Sequence, residues 1–110
     1  MIIASRVLQL TTANGATPLS INIFLPVQED GCWMCHYEIN WPEKPWESAA
    51  GGHDSIQALH CAMEKIGVEL YASAANKSGL LTWSSDWKGF GFPVPYNARD
   101  MLIGDDAKFF

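Results

Sequence analysis

Positive charge is what this chain of 110 residues has least of. Seven lysines and arginines stand against twelve carboxylates, a formal net charge of −5. A nucleic-acid binder needs a basic footprint to neutralise phosphates, so that class is excluded. Long apolar runs are also missing. No stretch approaches the roughly 18 residues that cross a bilayer as a helix, so no membrane partner is expected. Cysteine is limited to three, an odd number that fits a reduced compartment better than a secreted disulfide framework. The first ten residues lack the pattern of a secretory signal: Arg6 follows the first apolar run and Gln9 interrupts the second. These absences place the chain in the cytoplasm. Repeats and low-complexity tracts are absent, and the length suits one domain, 1–110.

What is present is ordinary globular composition, 48% apolar and 17% charged. Such a chain buries roughly two-thirds of its unfolded surface, enough for a core without metal or disulfide staples. Residues 2–12 read as a strand ended by the turn signal Ala13-Asn14-Gly15. Residues 19–28 alternate, with Leu19, Ile21, Ile23, Leu25 and Val27 on one face and Pro26 marking an edge or bulge. After Glu29-Asp30-Gly31, residues 32–41 alternate again, with Trp33, Cys35, Tyr37, Ile39 and Trp41 inward. A meander with one apolar face needs a cover. Asp54 with Gln57 three residues later opens a helix predicted to run to about Ala75, with Ile56, Leu59, Met63, Ile66 and Leu70 as its stripe. Its opposite face (Ala58, Cys61, Lys65, Val68, Ala72) carries one charge, so the C-terminal segment or a partner should cover part of it. Leu80–Trp83 is a short strand candidate, 84–96 an aromatic ordered loop, and Asn97 the cap of a short helix ended by Gly104. The fold class is therefore α+β. A three- to four-stranded, mostly antiparallel sheet carries one long helix on one face, closed by a C-terminal loop and short helix.

The motifs that suggest chemistry are outweighed by structural readings. Cys32-x-x-Cys35-His36 has the spacing of covalent haem attachment, but a period-2 strand points the two thiols to opposite faces. Zinc from Cys32, Cys35, His60 and Cys61 would have to be gathered from a strand and a helix rather than from turns. His53-Asp54-Ser55 are adjacent and cannot line up as a triad. Ala49-Ala50-Gly51-Gly52 lacks a phosphate-loop lysine and reads as a flexible lead-in to the helix. No catalytic residue, metal site or cofactor is expected, which makes an enzyme the lesser expectation.

Charge distribution is more informative. Between residues 29 and 47, five carboxylates (Glu29, Asp30, Glu38, Glu43, Glu47) face one lysine, Lys44, a local net charge of −4. Trp46 sits in the same stretch, in a predicted loop. An aromatic anchor among carboxylates is the composition of a hot spot for a basic protein partner. The candidate contacts are Glu38, Glu43, Trp46 and Glu47, with Asp105 and Asp106 as weaker members. A pocket between the helix and the 84–96 loop, with His60, Asp86 and Arg99, is the alternative. A homodimer through the weakly charged outer helix face is a further option.

Several strings resemble, together, a bacterial family of short stand-alone proteins known only as a domain of unknown function. They are Trp33-x-Cys35-x-Tyr37-Glu38-Ile39-x-Trp41-Pro42, Asp54-Ser55-x-Gln57-Ala58-Leu59, Gly91-Phe92-Pro93-Val94-Pro95, Arg99-Asp100 and Gly104-Asp105-Asp106-Ala107. The resemblance spans nearly the whole chain and implies one intact domain. It implies no activity, ligand or catalytic residue. The functional expectation is a small cytosolic acidic binding protein, in its concrete form an immunity-type inhibitor occluding a basic toxin or enzyme domain. The alternative expectation is a small-molecule-binding protein or minor enzyme.

Overall fold

The computed structural model describes residues 1–110. Six strands form one antiparallel sheet: β1 (Ile2–Thr12), β2 (Gly15–Phe24), β3 (Val27–Glu29), β4 (Cys32–Ile39), β5 (Trp46–Gly52) and β6 (Leu81–Thr82). β4 is flanked on one side by β2 and β3 in succession, and on the other by β5. β1 pairs with β2 along its length and with β6 only at Gln9 and Leu10. The α+β architecture follows the alternation of the first forty residues. Leu8, Leu10, Leu19, Ile21, Ile23, Cys35, Tyr37 and Ile39 all lie on the buried face. Pro26 falls in the break between β2 and β3, where its missing N–H removes no ladder bond.

The strand beyond the expected meander is β5. Its sequence, Trp-Glu-Ser-Ala-Ala-Gly-Gly, has none of the β-branched residues that mark strands, so the flexible lead-in predicted at 49–52 is corrected to ladder. Small residues are needed there because the helix crosses closely. A Cβ on Gly52 would lie 2.4 Å from the Ala58 nitrogen.

α1 (Ser55–Ala72) packs on β4 and β5. Asp54 caps it, accepting from the Gln57 N–H at 2.8 Å, while the Gln57 side chain accepts from the His53 N–H at 2.6 Å. The helix ends at Ala72 instead of 75. Ser73 accepts from the Asn76 N–H and starts a separate turn, α2 (Ala74–Lys77). The buried face is also rotated from the expected stripe, to Ala58, Ala62, Ile66, Gly67, Leu70 and Tyr71, leaving Ile56 76% exposed. Close approach to β5 selects alanine over the longer apolar side chains.

The C-terminal segment packs against α1 at Gly67 and Tyr71. The weakly charged face expected to need that cover is met instead by β5, at Ala58 and through Lys65, with Ala72 exposed. At Gly67 a Cβ would meet the Pro93 carbonyl oxygen at 2.0 Å, so loop and helix touch through backbone. Phe90, Phe92, Val94 and Leu102 complete the core. The helix expected from Asn97 is a 3₁₀ turn, Tyr96–Met101, led in by Pro95. Gly104 begins α3 (Gly104–Phe109) rather than ending a helix. No helix is long and apolar enough to cross a membrane.

Candidate interaction surface

One face of the sheet carries α1; the other has no layer over it, and its side chains form cross-strand rows. The central row runs Ser5, Asn22, Glu38, Glu47 across β1, β2, β4 and β5. Ser5 Oγ donates to Asn22 Oδ1 at 2.7 Å, and Asn22 Nδ2 donates to Glu38 Oε2 at 2.7 Å. Asn40 Nδ2 adds a 3.2 Å bond to the same oxygen and a 2.9 Å bond to Ser20 Oγ. Glu38 is thus held by two amides, with its charge unneutralised. Directly across the ladder stands Glu47, a like-charge pair of the kind that destabilises a sheet.

No lysine or arginine forms an ion pair; the two ion contacts are His36 with Glu29 and His60 with Glu64. Trp46, expected in a loop, begins β5 opposite Ile39 and remains 44% exposed. Glu43 lies in the turn joining β4 to β5, on the rim of a hollow of about 500 Å³ with Trp41 and Pro42 on one wall and Ser73–Ala75 on the other. Beside Glu47, a second open hollow of about 520 Å³ is lined by Phe24, His36 and Ala49 among others. Four of the six expected contacts, Glu38, Glu43, Trp46 and Glu47, therefore gather on one hairpin.

The remaining two lie elsewhere, in different surroundings. Asp105 is half-buried and accepts from the Lys88 N–H at 2.7 Å. Asp106 is 0% exposed and has no surface to offer a partner. Its carboxylate accepts from Tyr71 Oη at 2.5 Å, Trp87 Nε1 at 2.6 Å, the Phe90 N–H at 2.8 Å and the Gly91 N–H at 2.9 Å. Arg6 lies nearby, stacked 4.0 Å from the centre of a Trp83 ring and 4.7 Å from that of Phe92, and donates to Gly91 O at 2.7 Å. Burial lowers its pKa, and the charge of Asp106 partly offsets this. The expected role of Asp106 as a contact residue is therefore corrected to that of an internal anchor. Its place two residues after Gly104, beside Asp105, gave no sign of it; the aromatic and glycine density of 83–92 was the available signal.

His60, Asp86 and Arg99 are each exposed at the surface. At Gly67 and Pro93 the backbones of α1 and the loop touch, where such a pocket was expected. Five surface hollows of about 120 to 530 Å³ contain none of the three. Cys32 is exposed and Cys35 buried, on opposite faces of β4; burial pushes the Cys35 thiol up, away from the reactive thiolate.

In comparison with known proteins, residues 4–94 match the family model described as a domain of unknown function, DUF6968. No curated protein and no solved structure matches the chain.

Proposed function

We propose a binding role for this chain, which belongs to the DUF6968 family, a domain of unknown function. It acts in the cytoplasm as a small acidic binding protein whose β4–β5 hairpin docks a basic protein surface. In its most concrete form it is an immunity-type inhibitor that covers a basic toxin or enzyme domain. The observation that carries this reading is the opposed pair Glu38 and Glu47, set across the ladder with no cation of the chain to neutralise them. A sheet tolerates such a pair where a function repays the local cost. Glu43 in the connecting turn adds charge for steering. Trp46, opposite the inward Ile39, lies on the other face of the hairpin and offers a 44% exposed aromatic surface at its rim. The small-molecule or enzyme alternative has less support, because α1 and the loop touch through backbone at Gly67 and Pro93.

The test is a comparison of wild type with the double variant Glu43→Lys, Glu47→Lys. Both are immobilised and exposed to lysate of the source organism at low and high salt. A basic protein is expected to be retained by wild type, released as ionic strength rises, and lost with the variant. The purified partner's activity should fall on adding wild-type protein. Equal retention by both forms would remove this surface from the proposal, and a partner whose activity is unchanged would remove inhibition.

A further inference from the structure

Along β1 and β2 the buried pattern stops before the apolar residues do. Ile2, Ile3 and Val7 of β1, with Leu25 and Val27 after β2, are 38–49% exposed although all are aliphatic. The Leu25 N–H donates to Met1 O at 2.9 Å, which ties the start of β1 to the end of β2. Val7, opposite Ser20, lies on the outer face, and Leu25, beside Ile56 and Leu59, on the helix side. On the inner side, α1 lies over β4 and β5 and leaves the start of β1 uncovered. A hollow of about 120 Å³ opens there between Ala4, Arg6 and Ile23 of the sheet and Met63 and Phe92. One helical turn away, another of about 380 Å³ lies between Leu25, Pro26, Ile56 and Leu59.

The main chain is open at the same place. β6 pairs only with Gln9 and Leu10, and Leu80 O accepts from the Thr11 N–H. In an antiparallel ladder, successive residues alternate in the side to which their N–H and C=O point. Thr11 and Gln9 point toward β6, so Val7 and Ser5 point the same way, beyond its end. No other strand or loop backbone bonds to them there. The opposite edge of the sheet is guarded, since Lys65 Nζ donates to Ala49 O at 2.7 Å and to Ser48 Oγ at 3.2 Å. On β1 the one charged side chain, Arg6, is turned inward onto Trp83 and Phe92. Apart from a register shift between Ile2 and Ala4, the edge is regular and uncharged. Such an edge flanked by exposed aliphatics is what soluble sheets avoid unless it is used.

We propose that this edge is a dimer interface, in which β1 pairs antiparallel with β1 of a second copy across a two-fold axis. Charge selects that occupant. All twelve carboxylates lie from Glu29 onward, and residues 1–28 carry only Arg6. A basic partner is drawn to the carboxylates, whereas another acidic chain meets least repulsion here. An edge strand is also self-complementary, each outward residue offering a donor and an acceptor, so one isologous contact satisfies both copies. Leu81 and Thr82 already occupy the line beside Leu10 and Gln9, which sets the axis at Ser5 or nearer the chain start. The interface leaves the β4–β5 hairpin free.

Light scattering on size-exclusion eluates across a concentration series tests the proposal. Wild type is expected to reach the dimer mass. Ser5→Glu and Ser5→Lys each set like charges beside the axis and should weaken the dimer about fivefold or more. An equimolar mixture of the two should regain it. A monomer mass at every concentration, a dimer that both variants leave intact, or a mixture no tighter than its components would each overturn it. If either variant fails to fold, amide exchange on the wild-type chain decides. Protection of the Ser5 and Val7 amides that rises with protein concentration supports the interface, and protection that stays constant refutes it.

Discussion

Two core tyrosines place the same hydroxyl in opposite situations. Tyr71 donates to Asp106, and burial, followed by the hydrogen bond and charge of Asp106, raises its pKa well above the ordinary value. Tyr37 is also buried, yet its hydroxyl has no hydrogen-bond partner; Ser48 and Trp46 lie beside it without reaching bonding geometry. Tyr71→Phe should therefore cost about 1–3 kcal/mol in urea unfolding, while Tyr37→Phe should be neutral or slightly stabilising. The pH dependence follows the same logic. A folded pKa above the unfolded value near 10 gives stability that is complete below about pH 10 and is lost as pH rises further. Tyr71→Phe should remove its share of that alkaline loss, measured as the change in unfolding midpoint between neutral and alkaline buffer. None of this was legible in the sequence at single-residue scale. Asp105 and Asp106 are identical letters side by side, and only tertiary placement puts one near solvent and the other among four donors.

Elements were legible where one physical rule dominated. Period-2 alternation located β2 and β4, the turn signal at 13–15 closed β1, and the Asp54–Gln57 capping pattern located the start of α1. The misreadings share a cause, the close approach of backbones. β5 is built from alanine and glycine because α1 crosses it, so its composition reports the helix above it rather than strand propensity. The same crowding turned the buried stripe of α1 toward Ala58 and Ala62. Gly67 offers the sharpest test. In an isolated helix, Gly67→Ala should stabilise by about 1 kcal/mol. Here the added methyl would stand 2.0 Å from the Pro93 carbonyl, so the expected sign is reversed. Unfolding should show a loss of about 2 kcal/mol or more, in the range of overpacked cores. A gain in stability would mean that loop and helix are not in backbone contact.

For the whole molecule, the question is what closes a sheet whose long helix covers only β4 and β5. The inner face of β1 and β2 is covered instead by the segment after β6, through Phe90, Phe92, Val94 and Leu102. That segment has little regular structure of its own, and the Asp106 carboxylate fixes it by joining α3 to the Phe90 and Gly91 amides, Trp87 and Tyr71. The acidic hairpin was readable as a local run of charge. This closure was not, because it depends on residues brought together from positions 6, 71, 83–92 and 106. A chain ending after Val94 would keep every strand and α1, but would leave four donors facing a vacated site and remove Leu102 from the core. Unpaired buried donors cost about 1–3 kcal/mol each, so the sum approaches the total stability of a small domain. The shortened chain is expected to show no cooperative urea transition by tryptophan fluorescence and no near-ultraviolet dichroism from Trp83 and Trp87. Full-length Asp106→Asn keeps one acceptor oxygen and the packing, so it should retain a cooperative transition displaced by about 2–4 kcal/mol. If the shortened chain unfolded at the same urea concentration as the full one, the sheet and α1 would be self-sufficient and the C-terminal closure dispensable.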